Sequence, residues 1–329
     1  MDVTRRYHDA AGGWAECLNL CTPKHRTISL VANVASNLGF FSRAAPLTSL
    51  PAPHPPVPAG PYDPASTYVA IINSDGDNIA FDEVRVSVTG NADGHANGYT
   101  MDTRIALCNK PGAVCPPVAH TMSNRMMDLA PTILHWWYSK ATPSDSFVLG
   151  PSGYGYTYPA LMDATDQTAF ANATAHAAKR LGMGGYVHWD FVGDFLGKPF
   201  TRDGAGSLNF LKEAAKAWGS DGVALLGGPS GVGPSPHIPP RVKPDLTVVK
   251  PIFQRDLPIS NWERQIPAAN VSASLLALPR GTITYVYKIW DVGFAAVEEL
   301  GVALKGTHVK LVDVRTMPEL VRAQAAAAV

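Results

Sequence analysis

No stretch of this chain approaches the roughly 18 consecutive apolar residues that a membrane-spanning helix needs, and neither sign of charge is in excess. Lys plus Arg and Asp plus Glu stand at 27 each, so no overall basic field exists to draw in nucleic acid or anionic lipid. Cysteine is scarce, at 4 residues. The spacings of Cys17 with Cys21 and of Cys108 with Cys115 are not the two-residue spacings typical of a four-thiolate zinc site, although the second pair brackets a Pro/Gly loop that a disulfide could close. A Walker-type lysine sequence is missing, as is a glycine-rich phosphate loop after the first strand-like run, which removes the usual nucleotide-binding readings. His95, His120, His135 and His188 are not spaced as paired ligands, so neither a metal nor a cofactor is expected. Met1 to His8 has two arginines without an apolar stretch behind them and is not a secretory signal. The chain reads as either cytosolic or a fragment whose leader lies upstream; the cysteines and two glycosylation acceptors, at Asn172 and Asn270, together lean toward an oxidising compartment. Oligomeric state is left open.

What the chain does have is a rhythm. Seven short apolar runs each end in a polar loop: Tyr68 to Ile72, Phe147 to Leu149, Gly185 to His188, Val223 to Leu226, Leu246 to Phe253, Ile283 to Ile289 and Val309 to Val314. Such continuous runs, rich in Val, Ile and Tyr, fit parallel strands buried on both faces. Between them lie segments of helical period. Phe170, Ala173, Ala177 and Leu181 form a stripe that Gly182 ends, and Leu208, Leu211, Ala215 and Trp218 form another between Ser207, a plausible N-cap, and Gly219. Ala296, Leu300 and Leu304 precede Gly306, and Pro318 opens a last helix. Strands alternating with helices imply an α/β fold with right-handed crossovers. Acids and aromatics gather at strand ends from nearly every unit rather than at one crevice, which favours a (β/α) barrel, TIM-like or deacetylase-like, of seven parallel strands. An eighth is available in Ile28 to Val34.

Two regions break the rhythm. Pro46 through Pro64 is too rich in proline for helix or ladder strand, and it divides an N-terminal extension, residues 1–66, from a barrel domain, residues 67–329. The stretch from Ser87 to Asn124, with Gly90, Gly94 and Gly98 among polar residues, reads as a cover or insertion.

The most distinctive local sequence is Gly153-Tyr154-Gly155-Tyr156-Thr157-Tyr158-Pro159, directly after the Phe147 strand. Glycines let the backbone turn sharply, and tyrosines offer flat apolar faces tipped with hydroxyls, suited to stacking on sugars. The same heptapeptide also suits a tight turn with core tyrosines. Its fixed positions, together with Ser36-Asn37-Leu38, Asp75-Gly76-Asp77-Asn78, Asp128-Leu129-Ala130-Pro131 before Trp136, Trp137 and Tyr138, then Asp145 and Gly150-Pro151-Ser152, resemble the GxGYxYP family of putative glycoside hydrolases. That resemblance implies a βα barrel acting on carbohydrate, and it supplies no catalytic pair. Ala119-His120 stands where a Gly-Trp is more usual in the family, and the insertion around Cys108 to Cys115 is extra.

Glycoside hydrolysis generally needs two carboxyls flanking the scissile bond. Asp75, Asp77, Asp190 and Asp291 follow strand-like runs, with Asp145, Asp194, Asp256 and Glu263 further out. Asp77 and Asp190 are the first choice of pair. Asp77 sits in a Gly-containing turn, and Asp190 follows Trp189, whose indole can stack on a sugar and exclude water from a neighbouring carboxyl. Tyr154, Tyr156, Tyr158, Trp189, Trp290, Asn78 and Arg255 are the candidate substrate contacts. Two alternatives stand beside this reading: a metal-dependent carbohydrate deacetylase centred on Asp75 and Asp77, and a carbohydrate-binding domain without catalysis.

Overall fold

The computed structural model of the protein describes residues 50–73, 101–124, 126–155, 159–189, 205–219, 222–227, 238–243, 245–251, 261–262, 265–289 and 292–328. The strands are β1 (Thr67–Asn73), β2 (Val118–Met122), β3 (Asp145–Leu149), β4 (Gly185–Trp189), β5 (Val223–Gly227), β6 (Arg241–Val242), β7 (Leu246–Val249), β8 (Asn261–Trp262), β9 (Ile283–Lys288) and β10 (Val309–Leu311). The helices are α1 (Met101–Cys108), α2 (Met126–Leu129), α3 (Pro131–Lys140), α4 (Ala164–Leu181), α5 (Ala205–Trp218), α6 (Ala268–Leu276), α7 (Phe294–Leu304) and α8 (Met317–Ala327). All strands join one sheet in the order β6-β7-β5-β4-β3-β2-β1-β9-β8, with β10 beside β1. Every pairing is parallel except β6 with β7.

Alternation along the strands sorts side chains onto two faces. Tyr68, Ala70, Ile72, Val187, Trp189, Leu225, Tyr285 and Tyr287 share one core cluster, while Phe147, Leu149, Tyr186 and Leu226 pack with α3, α4 and α5 in a second. Val69, Ile71 and Val286 pack with α6 and α7 in a third. The first cluster is enclosed because the sheet curls. From β9 to β5 the ladder runs through five strand steps, about 24 Å at ~4.8 Å per step, yet the Tyr285 hydroxyl on β9 donates to the carbonyl of Leu226 on β5. Only a curl that brings β7 round to β9 allows this.

The expected closed barrel is not what the hydrogen-bonded ladder forms. Among the described residues the sheet has two ends, and the seam between them is crossed by one isolated parallel bridge, Pro251 with Tyr285, plus a bond from the Thr284 hydroxyl to the Lys250 carbonyl at 2.8 Å. Proline at the seam offers no N–H for a ladder. The strand expected over Leu246 to Phe253 accordingly ends at Val249. Two other expectations change. The stretch from Ser87 to Asn124, read as irregular, contains α1 and β2 among its described residues. The run Val309 to Val314 gives only the short β10, which shares an edge of β1 with β2: Thr67 to Val69 pair with β10, and Ile71 to Asn73 pair with β2.

The helix stops behave as their sequences imply. Gly182 caps α4 at φ 65° and Asp163 accepts from the amide of Asp166 at its start. Ser207 is not an N-cap, because α5 begins at Ala205 and the Ser207 hydroxyl instead meets His188 Nε2 at 3.2 Å. Cys108 and Cys115 form a disulfide. The proline-rich stretch, over its described part, is docked: Arg315 donates to the His54 carbonyl, the Val57 amide to Asp313, and Tyr62 stacks on Tyr68 at 5.7 Å. Val312, Val314, Met317 and Leu320 complete the enclosed cluster beside it. Ile28 to Val34 lies outside the described residues. Among the described residues no helix is long and apolar enough to cross a membrane.

Candidate functional site at the strand C-terminal ends

Because β1 to β5, β7 and β9 run parallel, their C-terminal ends share one side of the sheet, the side on which α/β folds build sites. Asp75, Asp77, Asn78, Tyr156, Tyr158, Asp190, Arg255, Trp290 and Asp291 lie outside the described residues. Their immediate supports are described. Asn73 closes β1 two positions before Asp75, Trp189 closes β4 next to Asp190, and Lys288 closes β9 two positions before Trp290.

These supports include a buried polar row. Asn73 is registered with His120 on β2 and with Lys288 on β9, so the three side chains are direct cross-strand neighbours. Lys288 Nζ donates to Asn73 Oδ1 at 2.6 Å, Asn73 Nδ2 meets His120 Nδ1 at 3.2 Å, and His120 Nε2 meets Asp145 Oδ1 at 2.9 Å. Arg104 from α1 completes the row, its Nε donating to Asp145 Oδ1 at 2.8 Å and an Nη to the Pro116 carbonyl at 2.7 Å. An ammonium can only donate, which fixes Oδ1 of Asn73 toward Lys288 and its amide nitrogen toward His120. Nδ1 of His120 must then accept, so the proton sits on Nε2 and is given to Asp145.

The row faces the helices, not the enclosed cluster. His120 sits among Trp137, Phe147 and Phe294 with ring centroids 5.4 to 5.9 Å away, and the Lys288 ammonium lies 4.7 Å over the Phe294 ring, a cation–π contact. Lys288, His120, Asn73, Asp145 and Arg104 are all 2% exposed or less. Burial alone would push the Asp145 carboxyl up. The Arg104 guanidinium and hydrogen bonds from His120 and Thr142 outweigh it and hold the group well below the usual carboxylate range. The row is therefore a fixed electrostatic brace behind the ends of β1 and β9 and the middle of β2. Its sequence signal is a lysine, a histidine and an asparagine inside otherwise apolar runs, a cost that buried strands bear only when such groups are paired.

The described half of the tyrosine loop is stitched to its surroundings. The Gly153 amide bonds the Gly150 carbonyl at 2.6 Å, the Ser152 amide the Gly155 carbonyl at 2.8 Å, and the Tyr154 amide the Thr174 hydroxyl at 3.0 Å. Gly153 has φ 93°, and a Cβ there would lie 2.4 Å from Thr174 Cγ2, so both conformation and space demand glycine. Tyr154 is half-buried and packs edge-on against Phe170 of α4 at 6.4 Å. It joins the helix layer, whereas Trp189 lies in the enclosed cluster close to Gly227. Those two aromatics are thus on different faces. The backbone connects them, since the Trp189 amide donates to the Ser152 hydroxyl at 2.9 Å.

The described histidines have other tasks: both ring nitrogens of His120 are engaged, His188 stacks on Phe210 at 5.3 Å, and His135 is exposed on α3. Among the described residues there is no cluster of three or more His, Cys, Asp or Glu side chains able to hold a metal ion.

No curated protein matches the chain in sequence. In fold it is similar to a crystal structure of a putative hydrolase from Bacteroides thetaiotaomicron, at 18% identity and a TM-score of 0.64, over 96% of this chain. This chain spans 56% of the length of that one. A putative polysaccharide deacetylase from Mycobacterium smegmatis aligns at 13% identity and a TM-score of 0.45, over 83% of this chain and 96% of that one. Residues 65–190, from just before β1 to just past Trp189, match the model of the GxGYxYP putative glycoside hydrolase C-terminal domain, the family whose motif the loop after β3 carries.

Proposed function

We propose that the protein is a carbohydrate-active hydrolase, specifically a glycoside hydrolase that uses Asp77 and Asp190 as its carboxyl pair, with Asp75 and Asp291 as further acids of the same cleft. The observation that carries the reading is that the family match spans both acids, Asp77 lying four positions after the end of β1 and Asp190 one position after the end of β4, two parallel strands of the same curled sheet. Strand ends on one side of a curl point their following loops at a common space. The enclosed face of β4 ends in Trp189, 5% exposed, which supplies the apolar wall that keeps one carboxyl protonated as general acid while the other acts as nucleophile or base. Tyr156, Tyr158 and Trp290 serve as stacking faces, and Asn78 and Arg255 as hydrogen-bonding partners of sugar hydroxyls. The brace contributes indirectly: by bonding Asn73 from both neighbouring strands it fixes the point from which the acidic turn departs, and tolerance at a catalytic pair is about 0.5 Å.

The test is hydrolysis of a glycan panel by wild type, Asp77→Asn and Asp190→Asn, each with and without chelator. Each substitution removes a proton or lone pair with little change of shape, so turnover should fall by at least about a hundredfold while substrate binding is largely kept. Full activity in either variant would discard the pair. Wild-type activity abolished by chelator would transfer the assignment to a metal-dependent deacetylase or hydrolase.

A further inference from the structure

A groove of different character lies on the flank where α5 runs between the start of α4 and the β6–β7 hairpin. It measures about 560 Å³, and its lining among the described residues includes Lys212, Lys216, Arg241 and Lys243 with Glu213 as the one acid. The chain as a whole balances 27 cations against 27 anions, so this local excess is not an average of composition. Two of the cations are already committed, Lys216 to Glu213 at 2.6 Å and Arg241 to Asp245. Lys212 and Lys243 are exposed and make no ion pair or hydrogen bond among the described residues. Asn209, Lys212, Glu213 and Lys216 follow the i, i+3, i+4, i+7 spacing of one helix face, which sets Lys212 and Lys216 one turn apart, about 6 Å along the axis.

We propose that this groove binds an anionic, carboxylate-bearing glycan chain, holding polymer at the protein's flank while the strand-end site works on it. The spaced ammonium groups match carboxylates repeated along a chain, and Pro239 and Leu208 give apolar surface for sugar C–H faces beside polar Asn209 and Thr168. Nucleic acid is the weaker occupant, because single strands are held on aromatic stacking platforms and no aromatic residue lines the groove among the described residues. The choice of a glycan rests on the carbohydrate reading above, but the site and its charge do not.

The experiment is native affinity electrophoresis of the whole chain through gels containing polygalacturonate, with neutral dextran and single-stranded DNA as separate arms. Wild type should be retarded by polygalacturonate and not by dextran, with retardation falling as salt is raised. Lys212→Glu combined with Lys243→Glu should weaken binding about tenfold, whereas Lys110→Glu combined with Lys305→Glu, the same charge change at exposed positions elsewhere, should change it less than twofold. Thermal unfolding checks that both double variants are folded. Equal weakening by the two double variants, absence of retardation, or DNA binding as tight as polygalacturonate binding would each overturn the proposal. Asp77→Asn and Asp190→Asn should keep polygalacturonate binding, so a failure of the hydrolase reading leaves this result standing and the reverse.

Discussion

Replacing Asp145 by Asn tests the buried row most directly. The carboxylate accepts four donors on two oxygens: Arg104 Nε and His120 Nε2–H on Oδ1, and the Thr142 amide and hydroxyl on Oδ2 at 2.8 and 2.6 Å. An amide offers one oxygen, so whichever way it is turned, two donors face its NH₂ group. Arg104, 2% exposed, keeps its bonds to the Pro116 and Ser144 carbonyls but loses its counter-charge. Breaking a buried pair from one side costs about 3–5 kcal/mol. With an unfolding entropy of about 2.1 cal/mol/K per residue over 329 residues, a loss of about 4 kcal/mol lowers the Tm by about 6 °C. Tryptophan fluorescence is a suitable probe, since Trp137 lies 5.4 Å from His120. The pH dependence follows from the depressed carboxyl. Its stabilisation is complete above the unfolded value, near pH 4, and is lost as pH falls through the lower folded value. The gap between wild type and Asp145→Asn should therefore be constant at neutral pH and narrow below about pH 4. A Tm within about 1 °C of wild type at pH 7 would show that Asp145 is not the anion holding Arg104.

Two further outcomes are expected. Gly153→Ala places a methyl group 2.4 Å from Thr174 Cγ2 at a φ of 93°, and should cost more than about 2 kcal/mol in urea unfolding; a neutral result would mean the loop is not held against α4. Tyr285→Phe removes the donor that spans from β9 to the Leu226 carbonyl and should cost about 1–3 kcal/mol, with an unchanged urea midpoint counting against the curl as described.

The alternation of strand and helix, the parallel sheet and the helix stops were legible because each rests on local physics: apolar runs buried on two faces, 3.6-residue stripes, glycine beyond the last turn. β2 was not, because Val118-Ala119-His120-Thr121-Met122 carries two polar residues whose burial is tolerated only through partners on β1 and β3, and long-range partners leave no mark on the segment itself. Asp145 could be named as an acid, but its role depends on Arg104, which lies 41 positions away. The tyrosine motif was visible at once, but the task of its first residues was not. Gly153 and Tyr154 serve the attachment to α4, which the sequence could not separate from a sugar-contacting role.

The divided edge of β1 has a consequence for how the chain reaches this state. The upper half of that edge is filled by β2, the next strand in the described order, but the lower half waits for β10, the last strand of the sheet. Until β10 and the segment through Leu320 have left the ribosome, Tyr68 and the other enclosed side chains have no floor, and the backbone of Thr67 to Val69 is an open template for pairing with another chain. Helix-covered units in the middle of the sequence can settle one after another during synthesis, whereas the interior is sealed only by a contact of very high sequence separation, the slow and aggregation-exposed kind.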